Sequence, residues 1–141
     1  MNIALIAHDA KKDLMVQFCT AYYGILSKHS LCSTGTTGKL IHEATSLKLH
    51  RFLSGIHGGV QQVMSAISCL EVDILLYFRD PLGPQDGIHP DDIGILRECD
   101  KQLIPLATNI TTAEALLHAL DRGDLDYLIW RDGGNEQRKG F

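Results

Sequence analysis

The sequence predicts an α/β domain built on a doubly wound, mostly parallel sheet flanked by helices. Residues 2–7 and 74–78 are short, continuously apolar runs, the pattern of strands buried on both faces. Stretches with apolar residues at helical spacing lie between the strand candidates. Glycines, hydroxyls and charges collect where a strand gives way to a helix, so strand and helix alternate along the chain. With 141 residues the chain is long enough for one domain with a substantial core, read as residues 1–141 with 130–141 a polar tail.

Taken in order, residues 2–7 read as the first and central strand. After a polar loop, Leu14, Phe18, Tyr22, Ile25 and Leu26 recur on one helical stripe that reaches Ser27. Residues 31–33 form a short strand leading into a glycine-punctuated segment, and a helix follows from about Leu40. A third unit runs from a strand at 49–53 through a glycine-bearing loop to a helix with Val60, Val63, Met64 and Ile67 on its stripe. The strand 74–78 comes next. Residues 79–90 hold three of the four prolines and are expected to be irregular. A helix over 91–99, a strand over 103–108 and a helix over 112–120 complete the pattern. The tail is expected to be poorly ordered unless a neighbouring subunit holds it.

Composition narrows the partners. The formal charge of −4, with acidic and basic residues interspersed, argues against nucleic acid and against an anionic membrane surface. An anion bound here is expected to be small. The four cysteines are widely spaced, form no C-x-x-C pair and mostly sit beside apolar residues, as reduced core thiols do, so the chain is read as cytoplasmic. The first residues have no basic start and are too short for a signal peptide or membrane span. His29, His42, His50 and His118 have no metal-ligand spacing and read as surface or helix-end residues, with no metal site expected.

The most informative stretch is Cys32-Ser33-Thr34-Gly35-Thr36-Thr37-Gly38-Lys39. Its hydroxyls can donate hydrogen bonds, its glycines let the backbone approach a ligand, and a following helix would offer free N–H groups to a phosphate. A nucleotide P-loop is excluded: Gly35 and Gly38 enclose two residues rather than four, and Leu40 follows Lys39. Glycine-rich segments also serve as plain connections, and that alternative stays open at this point.

In open parallel sheets, ligands bind beyond the carboxyl ends of the strands. The loops holding His8, Asp9 and Lys12, then Thr34 to Gly38, Ser54 to Gly59, Asp80 to Asp92, and Thr108-Asn109 should therefore converge. Together they suit a small phosphorylated sugar: a phosphate cradle, a lysine for charge, and His or carboxylate for proton transfer. Blander roles compete. His8 can satisfy turn backbone, Asp80 before Pro81 is an ordinary turn residue, and Val60 fits the apolar stripe of its helix.

The residues His8-Asp9 with Lys12, Thr34-Gly35-Thr36-Thr37-Gly38, Ser54-Gly55 with Gly58-Gly59 and Gln61-Gln62, Arg79-Asp80-Pro81-Leu82, His89, and Ile104 to Asn109 with Thr112-Ala113-Glu114 carry a resemblance. In this order, over residues 2–126, the chain resembles the methylglyoxal synthases. The resemblance implies a doubly wound, Rossmann-type fold, usually a homohexamer, converting dihydroxyacetone phosphate into methylglyoxal and phosphate with no metal or organic cofactor. In that chemistry a carboxylate removes a proton beside the ketone and the enediolate expels phosphate. Related domains bind effectors in carbamoyl phosphate synthetase or take part in a purine-pathway enzyme, so the fold alone does not assign an activity.

Carried over by position, the resemblance implies that His8, Lys12, Thr34, Gly35, Thr36, Thr37, Ser54, Gly55 and His89 contact substrate, with Asp9 beside them. His89 would also act as electrophile at the carbonyl oxygens. Asp80 and Asp92 fall on acidic positions, although the segment before His89 is longer than the family pattern and Asp91 could take the role of Asp92. The larger departure is Val60, which stands where the family has its general base. Three readings follow: an active synthase in which Asp9, Asp80 or His57 replaces that base; an impaired homologue that binds a phosphorylated ligand as a sensor or partner subunit; or a structural domain without a ligand.

Overall fold

The protein is described by a computed structural model covering residues 1–83, 92–131 and 140–141, with the side chain of Asp92 excluded. Its centre is β1 (Asn2–Ala7), in which every residue is buried. Two wings extend from it. On one side lie β2 (Ser30–Ser33) and β3 (His50–Arg51), on the other β4 (Ile74–Phe78) and β5 (Leu106–Ala107), in the order β3-β2-β1-β4-β5. All four pairings are parallel, with Ile3 opposite Leu31 and also opposite Ile74. The switch in winding direction thus falls between β1 and β4, where such sheets open a crevice at their carboxyl ends.

Strand alternation builds two cores from one sheet. Ile3, Leu5, Ile74, Leu76 and Phe78 face a layer that includes α1 (Lys12–Ala21), α3 (Gly35–Thr45) and α6 (Ile110–Arg122), represented by Phe18, Ile41 and Leu117. Ala4, Ile6, Leu75 and Tyr77 face α4 (Gly59–Ser68) and α5 (Asp92–Gln102), represented by Val63, Ile67 and Ile95. Covering both faces explains why β1 and β4 read as unbroken apolar runs. The doubly wound fold expected from the sequence is the one observed.

Several boundaries differ from the sequence expectations. The first helix breaks at Tyr22 before a short α2 (Tyr23–Leu26). The edge strands are shorter than the apolar runs around them: β3 has two residues and ends once Phe52 N–H has bonded Ser33 O. The strand expected over 103–108 shrinks to Leu106–Ala107 because Leu103 ends α5 in the left-handed region (φ 57°) and Ile104 N–H turns back to Cys99 O. The described ends of the tail dock on the same chain. Arg131 donates to Val72 O at 2.9 Å and pairs with buried Asp73, and Phe141 stacks on His50. Among the described residues no helix is long and apolar enough to cross a membrane.

Cys19, Cys32 and Cys99 are buried and Cys69 is exposed. Burial pushes each of the three buried thiols up to about 12, so they stay neutral and poorly nucleophilic in the folded chain. A disulfide-exchange reagent should therefore modify Cys69 rapidly in the native protein and the other three only after denaturation. Their raised folded-state values also mean that stability is fully present below the ordinary thiol range near 9 and is lost as pH rises toward 12, which alkaline melting curves will register.

Candidate functional site

At the end of β2, Thr34 adopts extended geometry (φ −67°, ψ 153°) and α3 begins at once with Gly35, five residues earlier than the sequence suggests. The candidate anion cradle is therefore the first turn of an 11-residue helix rather than a loop before one. Gly38 N–H closes the first helical bond on Thr34 O, while Gly35 N–H donates to Leu53 O at 3.0 Å. The N–H groups of Thr36 and Thr37 carry no backbone bond among the described residues. Thr34 makes no side-chain cap bond. Lys39, by contrast, points along the surface toward Glu43.

The segment that follows β3 wraps over this helix end. Gly35 is required by that approach: a Cβ there would lie 2.9 Å from Phe52 O and 3.2 Å from Ser54 N. Ser54 is thereby set against the cradle, and its carbonyl accepts from both His57 and Gly59, closing a 3-10 turn over Gly55–His57. Two buried hydroxyls, Thr37 Oγ1 and Ser54 Oγ, have no hydrogen-bond partner among the described residues. Leaving a buried polar group unpaired costs about 1–3 kcal/mol, so each marks a place where a ligand oxygen would relieve the penalty.

His8 follows the last residue of β1. Its backbone N–H donates to Phe78 O, its Nδ1 accepts from Asp80 N–H at 2.8 Å, and its Nε2 lies 3.3 Å from Tyr77 Oη. Lys12, in the first turn of α1, folds back so that Nζ reaches Ala7 O at 2.9 Å and Asp9 at 3.1 Å. The Lys12 side chain is 17% exposed and that of Asp9 86%, so the cation lies inward and its carboxylate partner faces water. Asp80 Oδ1 accepts from Leu82 N–H at 3.0 Å, which shapes its own turn. A cleft of about 640 Å³ opens between the ends of β1, β4 and β5, lined among others by His8, Lys11, Asp80, Thr108 and Asn109.

The structure thus joins His8 to Asp80 by a direct bond, Asp9 to Lys12, and Gly35, within the same turn as Thr34, Thr36 and Thr37, to the segment bearing Ser54 and Gly55. β1 and β2 run parallel, with Leu5 opposite Ser33, so His8 and Thr34, which follow the two strands, leave them at the same sheet edge. His89, Asp91 and the Asp92 side chain lie outside the described residues. Among the described residues no group of three His, Cys, Asp or Glu side chains is placed to hold a metal ion.

A family model described as an MGS-like domain matches residues 14–108. A methylglyoxal synthase of Caldicellulosiruptor saccharolyticus is 59% identical over 132 residues, covering 94% of this chain and 91% of that protein. The chain belongs to the methylglyoxal synthase family. A methylglyoxal synthase of Oceanobacillus iheyensis is 53% identical over the same shares of the two chains. The crystal structure of a methylglyoxal synthase from Elizabethkingia anophelis superposes with a TM-score of 0.79 at 40% identity, covering 82% of this chain and 76% of that one.

For a methylglyoxal synthase family member, two further placements matter. Val60, the second residue of α4, is 1% exposed and belongs to the buried cluster that contains Ile6, Val63, Ile67 and Tyr77. Its isopropyl group completes an apolar stripe, at a helix end whose dipole would favour a carboxylate. Of the three stand-in bases, Asp9 is committed to Lys12 and Asp80 to its turn, while His57 is exposed on the 3-10 turn. Tyr77 is the site neighbour that sequence reading missed, because it sits inside an apolar strand. The available signal was a phenol hydroxyl that must find a partner once buried.

Gly59 tests the architecture. A Cβ there would collide with Leu53 O and lie 2.9 Å from Ser54 O, while Leu53 O is the acceptor for Gly35 N–H. Gly59→Ala should lower stability by about 1–3 kcal/mol, as overpacking does, and loosen the cradle. Thermal melting will check it against Gly24→Ala, where the added carbon meets nothing within 4 Å and little change is expected.

Proposed function

We propose that the chain carries a methylglyoxal synthase site that binds dihydroxyacetone phosphate, and that Val60 impairs the proton abstraction that would turn it into methylglyoxal and phosphate. The observation that carries this reading is the pair of partnerless buried hydroxyls, Thr37 Oγ1 and Ser54 Oγ, next to the free first-turn N–H groups of α3. Such a set suits a phosphate, with the helix dipole aligned to favour the anion. Lys12 supplies positive charge, and His8 and Asp80 line the cleft between the strand ends, where the triose would lie. His89 would polarise the carbonyl oxygens, and Asp92 or Asp91 would complete the acidic set.

In this reading no metal or organic cofactor takes part, and the enzyme works in the cytoplasm as a homo-oligomer, a hexamer by family. The reaction needs a base beside the ketone. Valine cannot accept a proton, whereas its defined shape need not disturb the cradle, so binding can persist while turnover is low. Val60 itself favours a second reading: a catalytically inactive homologue that binds phosphate or a sugar phosphate as a sensor or a partner subunit.

The test is the release of phosphate and methylglyoxal from dihydroxyacetone phosphate by the unaltered chain and by Val60→Asp. Turnover should be slow or undetectable at first and rise by about 10² to 10⁴ in the variant, the contribution of a positioned general base, with a smaller change in affinity. High activity in the unaltered chain, abolished by replacing Asp9, Asp80 or His57, would show that the base has moved and overturn the role given to Val60. No gain in a folded Val60→Asp protein that still binds phosphate would favour the sensor reading.

A further inference from the structure

His8 ties the ends of β1 and β4 together. A backbone N–H can only donate, so the 2.8 Å bond from Asp80 N–H leaves Nδ1 without a proton and places the proton of the neutral ring on Nε2. Facing Nε2 at 3.3 Å is Tyr77 Oη, which accepts from it. The two rings meet edge to face, with centroids 5.4 Å apart and planes at 82°. Tyr77 is fully buried in a strand, Ile74–Phe78, whose other side chains are all hydrocarbon. Phenylalanine would fill nearly the same space, so the hydroxyl is the feature to be explained.

We propose that Tyr77 is a positioning residue of this site: its hydroxyl holds the Nε2–H edge of His8 and fixes the ring at the carboxyl end of β1, against Asp80. The inference rests on the functional reading given above. With Nδ1 held by Asp80 and Nε2 by Tyr77, both ends of the imidazole are anchored to the β4 side of the site. An arriving phosphate oxygen can share the oriented Nε2–H with Tyr77 Oη as a second acceptor, and it meets that proton rather than a lone pair, which is the polarity an anion requires. Without the hydroxyl the ring loses the contact that orients its donor edge.

The test compares phosphate affinity by calorimetry in the unaltered chain, Tyr77→Phe, His8→Phe and the double variant, together with ¹⁵N–¹H spectra of the His8 ring. The unaltered chain should show the His8 proton on Nε2. Tyr77→Phe should weaken phosphate binding about threefold to tenfold, the worth of one hydrogen bond, and should cause no further loss when His8 is already phenylalanine. The Nε2 proton signal should broaden or vanish in Tyr77→Phe. Unchanged affinity in Tyr77→Phe, losses that simply add in the double variant, or a His8 proton on Nδ1 would overturn the assignment. Should the unaltered chain bind no phosphate, the functional reading fails, and the spectra alone decide: loss of the Nε2 signal in Tyr77→Phe keeps the positioning role, and an unchanged signal removes it.

Discussion

Two hydroxyls kept dry and unpaired are the constraint on which this structure turns. Thr37 belongs to the first turn of α3 and Ser54 to the segment that crosses it, and a Cβ on Gly35 would lie 3.2 Å from Ser54 N, so the two segments touch. Each unpaired hydroxyl costs about 1–3 kcal/mol, a sizeable share of the 5–15 kcal/mol that holds a typical domain together. The penalty is sustained by backbone contacts that admit no substitution at close range. Gly35 N–H on Leu53 O holds the segment down, and the absence of a side chain at Gly59 lets that same carbonyl sit against α4.

The sheet explains why such a site can be rigid. β1 is buried along its whole length and paired on both sides, so His8 and Lys12 leave from the best-anchored strand of the fold. β2 delivers the cradle on one flank and β4 delivers Tyr77, Arg79 and Asp80 on the other, across the point where the winding reverses. Val60 and Tyr77 connect the site to the second core layer, because both lie in the cluster beneath α4. A carboxylate at position 60 would sit at that helix N-terminus, where the dipole offsets part of its burial, whereas valine packs against the core and carries no charge.

Central features were legible in the residues because they depend on local pattern. The runs at 2–7 and 74–78 could not be amphipathic if helices covered both faces, and the stripe Val60, Val63, Ile67 could face only one way. The hydroxyl and glycine content of 34–38 singled out the candidate cradle. Its form was not legible, since Gly-Thr-Thr-Gly has poor helix propensity and becomes helical because a neighbouring segment packs on it. Edge strands were overread for a related reason: Leu49 and Leu53 are apolar, yet pairing ends where β2 ends. The contacts at the two ends of the tail were not legible, because Arg131 finds buried Asp73, and Phe141 finds His50, only across the fold.

Titration of inorganic phosphate by calorimetry into the unaltered chain and into Thr37→Val bears most directly on the claim that the dry hydroxyls are reserved for a ligand. Valine keeps the shape and removes the partnerless oxygen, so the variant should melt at the same temperature or higher while binding phosphate about tenfold more weakly. Equal affinity in the two proteins, or a variant that is less stable than the parent, would contradict it.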